Sequence, residues 1–315
     1  MSIQVQALSK SYRRLLAVEA VRALSEVTLE IHTGEIFGII GPNGAGKTTF
    51  LGCLLGFLTP DSGTIQVDGH APDDLEVRRV TGYLPERLVL DRWMTGRAFL
   101  GYHHALARLP DSTRRSEVDA ALEHVGLAAD AAARPIHRYS RGMLQRLGLA
   151  QALLGNPKYI FLDEPASGVD PAGVVLFRRL LNEVKGRGVT VVINSHQLDQ
   201  VERVCDRVAF VKGGRVEAVE TLAAGATLAR VLRVRTLAGA LERAGQERIQ
   251  ALARGAGAEL ADMAAAQARF AVADDDGAAR LVAALVAAGV PVIEAAPEES
   301  RLERLFLDPP AQAKS

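Results

Sequence analysis

The chain has 315 residues, 48% of them hydrophobic and 23% charged, which is the composition of a globular protein with room for one large domain plus a small one, or for two domains. Lys plus Arg and Asp plus Glu both number 37, so bulk charge makes no electrostatic case for a nucleic-acid partner. The two cysteines, Cys53 and Cys205, fall in apparent helical segments far apart in sequence and are expected to be buried free thiols rather than a disulfide.

The opening residues, Met1 to Gln6, show no basic region followed by an apolar core, so no signal peptide is expected. Ile3 to Leu8 and Val27 to Ile31 read as strands joined by a long Arg/Ala-rich connection. The apolar run Ile36 to Ile40 reads as a buried strand. A glycine-rich turn follows it and opens into a helix that ends near Leu58. Thr59 to Gly69 has a turn–strand–turn signature, and Asp91 to Val125 is mostly helical in pattern. A loop at Arg134 to Tyr139 leads into a helix from Gly142 to Leu154. Lys158 to Leu162 and Val189 to Asn194 are short apolar runs bounded by loops, as central parallel strands require, with a helix over Ala172 to Lys185 between them. Arg207 to Val211 and Arg215 to Val219 read as a hairpin.

From Thr221 to Thr227 the composition shifts to an Ala-rich linker. Beyond it the order is strand (229–235), helix (237–252), strand (259–263), strand (268–273), helix (278–288), strand (290–295), which suggests a small ferredoxin-like module. The longest apolar stretch, Leu281 to Ile293, is interrupted by Gly289 and Pro291 and is too short to span a membrane.

Four signals carry chemistry. Gly41-Pro42-Asn43-Gly44-Ala45-Gly46-Lys47-Thr48 spells G-x-x-x-x-G-K-[ST] between a strand and a helix, the setting a phosphate cradle requires. Its glycines let successive N–H groups face phosphate oxygens, and the helix N-terminus adds partial positive charge there. Lys47 is expected to reach the terminal phosphates, with the Thr48 hydroxyl on Mg²⁺. The strand Tyr159 to Leu162 ends in Asp163 and Glu164, placing Asp163 beside the metal and Glu164 where it can orient or deprotonate an attacking water. Asn194-Ser195-His196 closes the next apolar strand, so His196 is expected to face the γ-phosphate region. Finally, Ser140 reads as the N-cap of the helix that follows it.

Taken in order, these motifs with Tyr139-Ser140-Arg141-Gly142-Met143 and Ser167-Gly168-Val169-Asp170 resemble the ATP-binding subunit of an ABC transporter over roughly residues 1–220. The remainder, closing with Ser300 to Leu307, resembles the extension carried by ABC-2 type exporters. The resemblance implies an α/β P-loop NTPase with a helical subdomain at about 90–155 and an antiparallel β subdomain, followed by a small α+β domain over 221–315. It implies that Tyr12 stacks on adenine, that residues 41–48 and Thr49 hold ATP, and that His196 senses the γ-phosphate. Ser140, Arg141 and Gly142 would close over the nucleotide of a partner subunit, with Asp170 at the dimer seam. The family's usual Leu-Ser-Gly-Gly-Gln signature is altered here, since Arg141 and Met143 stand for a glycine and the glutamine. The lid glutamine is replaced by Glu86, which can still ligate Mg²⁺ but cannot donate a hydrogen bond.

The expected protein is therefore an ATPase with ATP and Mg²⁺ as cofactors, working as a homodimer at the cytoplasmic face of a membrane through a separate integral permease, with export as the direction. A chain with one phosphate loop and one signature must pair to complete a site. A soluble ABC-type ATPase acting on ribosomes or DNA is the alternative; such proteins often carry two cassettes in one chain or a long coiled-coil insertion. A regulatory module with little hydrolysis is the other, and the intact Asp163-Glu164 pair argues against it.

Overall fold

The computed structural model describes residues 2–13, 20–88, 91–167, 169, 171–222 and 230–297. The fold divides into two units, one running to Leu222 and the other from Ala223 to Leu307.

The first unit opens with β1 (Ser2–Tyr12) and β2 (Val21–His32), paired antiparallel. Both outrun the apolar stretches that mark them, because register shifts between Val5 and Ser11 interrupt the regular alternation of buried and exposed positions. β3 (Ile36–Ile40) is buried at all five positions and feeds α1 (Lys47–Leu54). β4 (Ser62–Val67) pairs with β1 and completes an antiparallel sheet in the order β2-β1-β4. Two short elements follow, α2 (Leu75–Arg79) and β5 (Thr81–Leu84). Neither is long enough to show a period of its own.

Residues 91–125 contain two helices, α3 (Gly96–Leu106) and α4 (Arg114–His124), interrupted by Pro110, which cannot continue a helix, and by a 3₁₀ turn at Asp111–Thr113. The Arg97–Asp119 ion pair and a 3.1 Å contact between His104 and Glu117 join α3 to α4. After α5 (Ala129–Ala132) comes α6 (Arg141–Leu153), whose N-cap Ser140 accepts a hydrogen bond from the Met143 N–H at 3.3 Å.

The chain then alternates strand and helix: β6 (Tyr159–Asp163), α7 (Pro171–Gly186), β7 (Thr190–Asn194), α8 (Leu198–Val204), then the hairpin β8 (Arg207–Lys212) and β9 (Arg215–Thr221). The six-stranded sheet runs β5-β6-β7-β3-β8-β9, parallel through β8 and antiparallel only at the last pair. β6 and β7, like β3, are buried throughout, as a parallel sheet covered on both faces demands. Phe37, Phe50 and Phe161 are fully buried and share one core with Ile3, Val5 and Leu8 of the antiparallel sheet. Each such side chain stabilises the fold by roughly 1.5–3 kcal/mol. Cys53 and Cys205 are buried free thiols, and burial pushes both pKa values up.

The second unit contains β10 (Arg230–Thr236), α9 (Ala240–Ala244), α10 (Gln246–Gly255), β11 (Ala258–Ala264), β12 (Gln267–Val272), α11 (Asp275–Ala287) and β13 (Val292–Pro297). Its four strands are all antiparallel in the order β11-β12-β10-β13, the ferredoxin-like arrangement, over a core that includes Val234, Phe270, Leu281 and Ile249. The single helix expected at 237–252 is two, because Gly245 takes a φ of +80° that a continuous helix cannot contain. The segment Ser300 to Leu307 lies outside the described residues.

Candidate active site

Loops that leave the carboxyl ends of neighbouring parallel strands converge. β6, β7 and β3 are neighbours, and their register sets Asp163 beside Asn194 and Asn194 beside Ile39. Gly41–Thr48, Asp163-Glu164 and Ser195-His196 therefore leave one rim of the sheet, although they are far apart in sequence.

The glycine loop is shaped by close backbone approach. Gly46 has φ +101°, and a Cβ there would sit 2.2 Å from the Ala23 carbonyl oxygen. A Cβ on Gly41 would meet the Val211 carbonyl oxygen at 2.0 Å. Gly46 is also the N-cap of α1, which has no side-chain cap, so the first-turn N–H groups have no such acceptor. Lys47 is only 7% exposed and folds over the loop, its Nζ donating to the Gly41 carbonyl at 2.8 Å and the Pro42 carbonyl at 3.1 Å. Burial lowers its pKa, and the negative charges of Glu164 and Asp163 oppose that shift. Thr48 is exposed on the first turn of α1. Asp61 accepts from Lys10 Nζ at 3.0 Å and the Ser11 N–H at 2.7 Å, fixing the end of β1. Tyr12, the last residue of that strand, donates its hydroxyl to Thr49 Oγ1 at 3.4 Å and stands half-exposed beside α1.

Asp163 is 4% exposed and accepts a 2.6 Å hydrogen bond from Asn194 Nδ2. Burial raises its pKa; the Asn194 bond works the other way, Glu86 and Glu164 add to the rise, and Lys47 opposes it. The Asn194 Oδ1 atom is buried with no hydrogen-bond partner among the described residues. Burial pushes the Tyr83 hydroxyl up to about 12, with Asp163 and Glu86 contributing. The charge of exposed Glu86 is thus felt at both Tyr83 and Asp163.

Glu164 has φ +48°, a left-handed conformation costing an ordinary residue roughly 1–2 kcal/mol. Its N–H donates to the Asn194 carbonyl at 2.8 Å. Its carboxylate accepts from the His196 N–H at 3.1 Å and the Ser195 hydroxyl at 3.3 Å, and lies 2.7 Å from His196 Nδ1. Sequence reasoning singles out His196 and misses Asn194 and Ser195 as site residues. Their place at the end of the same apolar strand carries the same signal.

Ser140 and Arg141 are exposed at the start of α6, and a Cβ on Gly142 would meet nothing within 4 Å. The Arg141 side chain turns to its own chain, with Nη2 donating to Ser167 Oγ at 2.9 Å. Asp170 lies outside the described residues. A cleft of about 570 Å³ lined in part by Glu117, His124, Lys158 and Arg187 lies at the amino ends of β6 and β7, remote from the acids.

The family model described as ABC transporter matches residues 24–167. The ABC transporter ATP-binding protein YxlF of Bacillus subtilis is 40% identical over 214 residues, covering 68% of this chain and 69% of its own length. The chain belongs to the ABC transporter ATP-binding family. An ABC transporter ATP-binding protein of Nostoc sp. is 42% identical over 199 residues, 63% of this chain and 59% of that relative. The match therefore spans about three-fifths of that relative, and 61% of one from Synechocystis sp.. The daunorubicin resistance ATP-binding protein DrrA3 of Streptomyces coeruleorubidus is 36% identical over 202 residues, 64% of each chain. Among solved structures, a dimeric ATP-binding cassette in a post-hydrolysis state, bound to ADP and Pi, superposes with a TM-score of 0.65 at 26% identity, over 70% of this chain and 99% of its own.

The residues present fit a nucleoside triphosphate with a hard divalent cation. An uncapped helix N-terminus and a buried ammonium suit phosphate. Buried Asp163, its pKa raised by burial beside like charges, and the exposed Thr48 hydroxyl are oxygen donors of the kind that suits Mg²⁺.

Proposed function

We propose that this chain is the ATP-hydrolysing subunit of an ABC transporter, closing head-to-tail with a second copy around two nucleotides and driving a separate membrane permease. The observation that carries the reading is the convergence of Lys47, Asp163, Glu164 and His196 at three adjacent strand ends. Residues 41–48 and Thr49 hold the phosphates, with Tyr12 against the base. Thr48, Asp163 and Glu86 take the Mg²⁺, which when bound neutralises charge on the phosphates. Glu164 prepares the attacking water, and His196, 2.7 Å from its carboxylate, orients it and reads the γ-phosphate. Ser140 and Gly142, open at the start of α6, serve the nucleotide of the partner copy, with Asp170 at the seam between copies.

Among the described residues no helix is long and apolar enough to cross a membrane. The pore and the substrate pocket then belong to the permease, with this chain peripheral at the cytoplasmic face and residues 221–315 as an accessory domain. Exposed Trp93 and Tyr102 offer apolar surface for docking. The likeness to a daunorubicin resistance protein favours export. Two measurements test the whole: phosphate release from ATP with and without Mg²⁺, and capture of an integral membrane protein from detergent-solubilised membranes. Absence of turnover sinks the ATPase; co-purification with ribosomes in place of a membrane protein favours the soluble reading.

A further inference from the structure

Arg141 stands where the family's signature carries glycine, and its guanidinium does something no glycine can. It donates from Nη2 to Ser167 Oγ at 2.9 Å. Ser167 lies in the turn after Glu164, and its N–H donates to the Glu164 carbonyl at 3.1 Å. That turn holds Glu164 at φ +48°, a conformation that persists only where the surroundings impose it. On the far side the restraints come from β7 and its loop, through the Asn194 carbonyl, Ser195 and His196. On the near side Arg141, anchored one residue after the Ser140 N-cap, tethers the turn from another element.

We propose that Arg141 is a positioning residue that links two composite sites. Through Ser167 it fixes the turn carrying Glu164 of its own chain, while the helix it opens presents Ser140 to the nucleotide of the partner copy. Closure of α6 on one nucleotide is thereby transmitted to the base that prepares the attacking water at the other. The planar, permanently charged fork of arginine suits this task, since it can hold Ser167 and keep further donors free. The inference rests on the head-to-tail dimer of the proposed function.

ATP hydrolysis is measured against ATP concentration for the full chain and for Arg141→Ala, Arg141→Lys, Ser167→Ala and the Arg141→Ala/Ser167→Ala double variant. The two alanine variants should each lower kcat roughly five- to tenfold with unchanged ATP affinity, and the Hill coefficient should fall toward one. The double variant should be no worse than either single, and lysine should restore part of the rate. Multiplying losses in the double variant, or a change confined to KM, overturns the tether; matching melting temperatures exclude a folding defect. Sizing of the Glu164→Gln variant with ATP separates the two ideas. A dimer with independent Arg141 and Ser167 effects removes only the tether, whereas no dimer removes the composite site and the transmission with it.

Discussion

Asp163→Asn should stabilise this protein in the absence of nucleotide and metal. The carboxylate is 4% exposed, and its pKa is raised chiefly by burial, with Glu86 and Glu164 adding like charge. The ionised form is thus disfavoured in the fold relative to water. A neutral amide keeps the bond from Asn194 Nδ2 and can donate to the buried Asn194 Oδ1, which has no partner among the described residues. That new hydrogen bond contributes about 1 kcal/mol, and removal of the buried charge acts in the same direction. Lys47 keeps its two carbonyl contacts and the charge of Glu164. For a unit of this size the expected rise in melting temperature is about 2–4 °C in EDTA at neutral pH. The acid's folded pKa is raised, so its penalty is fully present above that pKa and relieved as pH falls through it. The difference between variant and wild type should shrink on acidification accordingly. With Mg·ATP at about 100 times the wild-type Kd the order should invert, since ligand linkage adds about 2.7 kcal/mol to the wild type and less to a variant that lacks one metal ligand. A variant that melts at or below the wild type in EDTA refutes the reasoning.

Glu164→Gln should cut phosphate release by at least about 10²-fold while ATP still binds, and full turnover would remove the assigned base. Lys47→Ala should weaken ATP binding by roughly 1.5–3 kcal/mol in calorimetry, through loss of a charge-assisted contact to phosphate. Gly46→Ala should destabilise the first unit and abolish nucleotide binding, because its Cβ would stand 2.2 Å from a backbone oxygen. Gly44→Ala carries a similar φ penalty with nothing within 4 Å, and equal melting losses for the two would count against the steric argument. Chelation of Mg²⁺ should halt hydrolysis, and unchanged rates in EDTA would discredit the Asp163 and Thr48 assignments.

Much of this molecule is legible in its letters. The phosphate loop is a local device, with glycine spacing, an apolar strand before it and a helix after it, so eight consecutive residues specify it. The buried strands β6 and β7 announce themselves as apolar runs ending in Asp163-Glu164 and Asn194-Ser195-His196. The breaks at Pro110 and Gly245 are equally present in the sequence, but a periodicity that tolerates mixed spacing runs past them. Short elements such as α2 and β5 leave too little pattern to detect.

The tertiary structure alone decided the order β6-β7-β3, because strand pairing is a contact between segments distant in sequence and no local propensity encodes it. From that order follow the Asn194 bond to Asp163, the capture of the Glu164 carboxylate by His196, and the action of both acids' charge on Lys47. Arg141 shows the same division. The sequence reports that it replaces a glycine; only the packing of α6 beside the turn after β6 turns its guanidinium onto Ser167. Local chemistry fixed which groups the site contains, and non-local pairing fixed which of them meet.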